Sequence, residues 1–150
     1  MDSAYSILKK ILVVIVILAA ILWAVVFFLD RSDAKKEKEL IEVVQHQFDT
    51  ADVKAYGGEN ASIIVNMTIR DQEEIYTTSK TALPYLVENN LDDLSRYKEL
   101  VVIGKIIDPN TGERLDSQAI IYPINKISLI NWDKLKNYDT LLNYVSLLSI

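Results

Sequence analysis

The chain has 150 residues, half of them hydrophobic, with no cysteine, one histidine and a formal net charge of −5. The absence of cysteine excludes disulfides, a thiolate nucleophile and cysteine-ligated zinc. The acidic balance repels phosphate backbones and argues against nucleic acid as a partner.

Residues 1–10 form a short tail ending in Lys9 and Lys10, and from Ile11 to Leu29 no side chain is charged, amidic or hydroxylic. Nineteen helical residues rise about 28 Å, close to the roughly 30 Å hydrocarbon core of a bilayer. Residues 11–29 are therefore expected to form one transmembrane helix that contacts lipid from Ile11 to Leu29. A cleaved signal peptide would carry a shorter apolar run, although Ser32-Asp33-Ala34 offers small residues for cleavage. The run is expected to stay as an uncleaved signal anchor in the cell membrane. The lysine pair before it favours an inside amino terminus and an extracytoplasmic carboxyl-terminal domain, while Arg31, Lys35, Lys36 and Lys38 beyond it favour the reverse. The first arrangement is adopted because only ten residues precede the span.

Residues 30–150 hold 14 basic and 20 acidic residues, a net charge of −6, and 121 residues suffice for one domain with its own core. Residues 30–48 read as a stalk helix. Leu40, Ile41, Val44 and Phe48 share one face and Glu39, Glu42 and His46 another, so the second half should dock on the domain. The domain proper is placed at 49–150. There "DVKAY" is a strand candidate, "GGEN" supplies turn chemistry, and "ASIIVNMTIR" alternates as a second strand. Asp71 and Glu74 have capping-box spacing and open a helix, which Pro84 should kink or break before Asn89-Asn90 ends it. "ELVVIGKIID" and "RLDSQAIIYPI" flank "PNTGE" as a hairpin, with Gly112 taking positive φ. Both arms carry apolar residues on both faces, so these strands should be central and covered on both sides. In the last segment Tyr138, Leu141, Leu142, Val145 and Leu148 form a helical stripe, with Asn131 or Asp133 as its cap. The expected fold class is α+β: a transmembrane helix, then a four-stranded antiparallel sheet with about three packed helices.

No catalytic, cofactor-binding or metal residue is assigned. His46 has no second imidazole to work with, and it follows Glu42 at ion-pair spacing. Glu73-Glu74 and Asp92-Asp93 are adjacent carboxylates whose side chains diverge, which suits a helix start better than acid–base chemistry. "DPNTGERLD" at 108–116 has oxygen ligands but lacks the alternation and terminal glutamate of a calcium loop, and reads as a turn.

The layout of short tail, single span, continuing helix and small sheet is similar in outline to pilin-like subunits, without the glycine and glutamate that flank their processing site. It is equally similar to bitopic subunits of bacterial secretion or conjugation machines, and abundant Ile, Asn, Lys and Tyr suit a bacterial source. The first expectation is a non-enzymatic interaction or assembly module with protein partners in a bacterial envelope complex. The alternative is a membrane-tethered sensory or small-ligand-binding domain, with its pocket near Tyr85, Tyr122 and Trp132. A carboxylate hydrolase would need two carboxyl groups converging in a cleft, one with a raised pKa. The edge strand at Asp52 to Tyr56 and the apolar carboxyl terminus are candidate interaction features.

Overall fold

The computed structural model describes the backbone of residues 2–50 and 52–148 and the side chains of 12–50 and 52–146. The side chains of Lys9, Lys10, Ile11 and Leu148, and the terminal Ser149-Ile150, lie outside the described residues. Two compact units divide the chain, Met1–Lys36 and Glu37–Ile150. Helix α1 (Asp2–Phe48) runs through the first unit into the second.

In the first unit every described side chain is exposed, and the apolar run makes α1 long and apolar enough to cross a membrane. Toward the end of the run Trp23 stacks on Phe27 at 5.9 Å between ring centroids. The Arg31 guanidinium lies 5.3 Å from the Phe27 centroid.

The second unit is α+β. Strands β1 (Asp52–Tyr56), β2 (Ser62–Ile69), β3 (Glu99–Ile107) and β4 (Arg114–Pro123) lie side by side in chain order. The sheet is mixed, not antiparallel throughout: β1–β2 and β3–β4 are antiparallel, whereas β2 and β3 are parallel. The cause is α2 (Glu73–Leu94), whose 22 residues carry the chain back along the sheet before β3 begins. A crossover of that length permits parallel pairing, which a tight turn cannot. The hairpin between β3 and β4 forms as expected, and Gly112 has φ +73° at its turn.

One face of the sheet makes the core. Val53, Ile63, Val65, Met67, Leu100, Val102, Ile120 and Tyr122 are buried there by the period-two alternation of the strands. Leu40, Val44 and Phe48, spaced four apart on the last turns of α1, join the same core, as do Ile75, Leu83 and Leu86 of α2. Gly104 faces inward from β3, toward Ile69 of β2 and Ile75 of α2. A Cβ there would stand 2.4 Å from Ile69 Cδ1 and 2.7 Å from Ile75 Cδ1, so any side chain collides with two buried isoleucines.

The helix ends use side chains the chain supplies locally. Asp71 Oδ1 accepts from the Glu73 N–H at 3.0 Å, and Glu74 reaches back to the Arg70 N–H at 3.0 Å, one residue earlier than a capping box requires. Pro84 sits exposed within α2, and the non-helical backbone falls at Asn90 (φ −134°, ψ 17°), so the break is at the asparagines and not at the proline. After β4 come α3 (Ile124–Ile127), which was not anticipated, a 3-10 turn at Trp132–Lys134, and α4 (Tyr138–Leu148). Its cap is Asn137, not Asn131 or Asp133. Asn137 Oδ1 accepts the Thr140 N–H at 3.0 Å and Thr140 Oγ1 accepts the Asn137 N–H at 3.1 Å, a reciprocal pair. Asn131 and Asp133 instead belong to the 3-10 turn and its start. The Tyr76 hydroxyl of α2 donates to the Leu135 carbonyl at 2.7 Å, tying this last segment to the core.

Candidate functional site

The residues singled out for chemistry do not converge. His46 is exposed on α1, and Glu42 pairs with Lys38 at 3.9 Å, a solvated helical pair. Glu73 and Glu74 diverge: both Glu73 oxygens accept the Tyr138 N–H at 3.2 Å, while Glu74 serves Arg70. The Arg70 backbone N–H, then its guanidinium, holds the Glu74 carboxyl below the usual carboxylate range. In the β3–β4 turn Asp108 Oδ1 accepts the Asn110 N–H at 2.7 Å, and Asp116 accepts from Ser117 and Gln118. These carboxylates stabilise turns. Among the described residues no three His, Asp or Glu side chains gather as a metal site.

Burial shifts three tyrosines upward. Burial pushes the Tyr122 hydroxyl up most, and neither it nor the Ser79 hydroxyl, both buried, makes a hydrogen bond. Tyr97, whose hydroxyl donates to the Glu37 carboxylate at 3.3 Å, is raised by burial and then by that charge. Tyr138 is raised by burial and then by Asp139 and Asp116. Tyr85 is exposed, Trp132 half-buried and Tyr122 buried, and none of them lines any of three clefts on the domain.

Those clefts differ in chemistry. One of about 570 Å³ lies beside Leu91, Tyr97, Lys98, Ile124 and Ser128. Another of about 570 Å³ is polar, with Thr50, Thr68, Thr77, Arg70 and Glu74 on its walls, and its arginine is already engaged by its glutamate. The third, about 330 Å³, runs between β4 and α4 and is lined by Ala119, Ile120, Ile121, Leu142, Val145 and Ser146.

The second face of the sheet is the least expected surface. The register places Lys54, Ile64, Val101 and Ile121 in one cross-strand row and Asp52, Asn66, Ile103 and Ala119 in the next. Ile64, Val101 and Ile103 are half-buried, Ala119 and Ile121 are exposed, and none joins the core. The doubly apolar arms of the hairpin therefore do not mark strands covered on both sides. β4 is an edge, and the outward apolar residues of both arms form a patch on a bare face. Their apolar character was visible in the sequence, but its cause was misassigned to burial. The ion pair of Lys105 with Asp52, 3.9 Å apart, borders this patch on the β1 side.

No family model, curated protein or solved structure matches the chain. Its function is therefore argued from these surfaces and from α1. One further feature escaped the sequence reading: Trp23, Phe27 and Arg31 recur every four residues, so they share one helix face at the end of the apolar run. Aromatic and basic side chains so placed suit a membrane–water interface.

Proposed function

We infer that the chain is a single-pass membrane protein whose small α+β domain works as a non-enzymatic interaction module in a bacterial envelope complex. The observation that carries this reading is the bare sheet face, where Ile64, Val101, Ile103, Ala119 and Ile121 form a contiguous apolar patch outside the core. Contiguous exposed apolar surface of this kind marks contact with another molecule. The anchor reading is supported by the full exposure of Leu12 to Leu29, since a helix serving a soluble core would have one face covered. In this reading the span fixes the location and the charged first turns after Leu29 cross the headgroup zone. The domain is presented on the extracytoplasmic side.

Affinity capture of the intact protein from cross-linked membranes tests the assembly role. The expected result is one recurrent protein partner across several detergents; recovery of the chain alone in all of them refutes it. Protease treatment of intact cells and spheroplasts tests the sidedness. Digestion of the domain in spheroplasts is expected, and digestion only after lysis contradicts an external domain.

A further inference from the structure

The geometry points to the free edge of β4 as the docking site: a partner's extended, uncharged segment with an apolar residue at every second position adds there as a fifth strand. This rests on the interaction-module reading above. Because β4 ends the sheet, the N–H and C=O groups on its outer side have no strand partner among the described residues, and such an edge selects an extended backbone.

The two edges of the sheet are not equivalent. β1 has five residues and presents Asp52 and Lys54, with Asp52 already paired to Lys105. Short, charged edges are guarded against strand addition. β4 has ten residues, and from Ser117 to Pro123 it carries no charge. The sheet's one register shift lies at the other end of the β3–β4 pair, at Ile106/Ile107, so this uncharged half is regular.

A groove also runs beside that half, between β4 and α4, and among the described residues no charged side chain lines it. In strand addition the main chain supplies affinity, and pockets for alternate side chains supply specificity. The groove beside β4 provides such a pocket, with Leu142 of α4 37% exposed and Ile121 48% exposed. Leu115, 64% exposed, extends the apolar surface along β4. The lack of cationic side chains among the groove's described residues disfavours a lipid headgroup as occupant.

The absence of native cysteine allows single-cysteine footprinting of the full chain. Variants Ala119→Cys and Ser146→Cys probe the edge and groove, while Tyr56→Cys and Ser128→Cys are exposed references elsewhere. Maleimide labelling is compared between membrane fragments of the natural host and detergent-purified protein. Labelling at 119 and 146 is expected to be about fivefold slower in the membranes, as for four sites in five occupied, and unchanged at 56 and 128. Amide exchange between Ser117 and Tyr122 should slow at alternate residues. Slowing at 56 or 128 alone overturns the β4 site but leaves a partner-binding domain. Equal rates at all four positions overturn both. Disulfide-linked dimers of Ala119→Cys would identify a second copy as occupant, and slowed labelling with unchanged amide exchange would mean contact without strand addition. Either result refutes the proposal.

Discussion

Substituting Gly104 by alanine tests whether the packing of β3 against α2 fixes this core. The added methyl would stand 2.4 Å from Ile69 Cδ1 and 2.7 Å from Ile75 Cδ1, about 1 Å inside ordinary contact. Both isoleucines are buried and stiff at χ1, so relief requires off-rotamer side chains or a backbone shift, which typically costs 1–3 kcal/mol. Removing a strand glycine returns roughly 0.5–1 kcal/mol of backbone entropy. The net expectation is destabilisation by about 1–2 kcal/mol, read as a lower urea midpoint for the detergent-solubilised full chain. A Trp23→Phe background leaves Trp132 as the sole tryptophan reporter. Ile69→Val removes the nearest clashing methyl and alone should cost about 1 kcal/mol. If the collision is the cause, the double variant is less destabilised than the sum by about 1 kcal/mol. Additivity within about 0.5 kcal/mol would refute the reasoning.

Tyr76→Phe leaves the buried Leu135 carbonyl without its 2.7 Å donor and should lower stability by about 1 kcal/mol; an unchanged urea midpoint would show that this tie is idle. Asn137→Ala removes the α4 cap and should cost about 1 kcal/mol, with Asn137→Ser restoring most of it. Glu74 is held below its unfolded value, so its contribution is present above about pH 4.3 and lost as pH falls through the folded pKa. Glu74→Gln should therefore differ from the parent at neutral pH and converge with it in acid; a gap independent of pH would contradict this origin.

The elements with a strong period were legible from sequence: Leu40, Val44 and Phe48 on the stalk, the alternation from Ala61 to Ile69, and the turn at Gly112. The pairing of β2 with β3 was not, because strand direction depends on where a 22-residue helix returns the chain, and periodicity is blind to that. The helix end read at Asn89-Asn90 is met by non-helical backbone at Asn90, whereas the break expected at Pro84 is not found there. An exposed proline costs one helical hydrogen bond and leaves the packed face intact, since Leu83 and Leu86 on either side of it are buried. Val101 and Ile121 looked like buried residues because composition cannot separate an apolar face covered by a helix from one left for a partner. That ambiguity hid the β4 edge and its groove, which became visible only once the strand order was known.

In the proposed function the apolar run from Ile11 to Leu29 holds the chain in a membrane and presents the domain from it. Carbonate washing of host membranes, followed by an intact mass of the retained protein, tests this most directly. Retention of a protein whose mass and peptides still include residues 11–29 is the predicted result. Release into the wash, or a mass lacking the residues through Leu29, would contradict it.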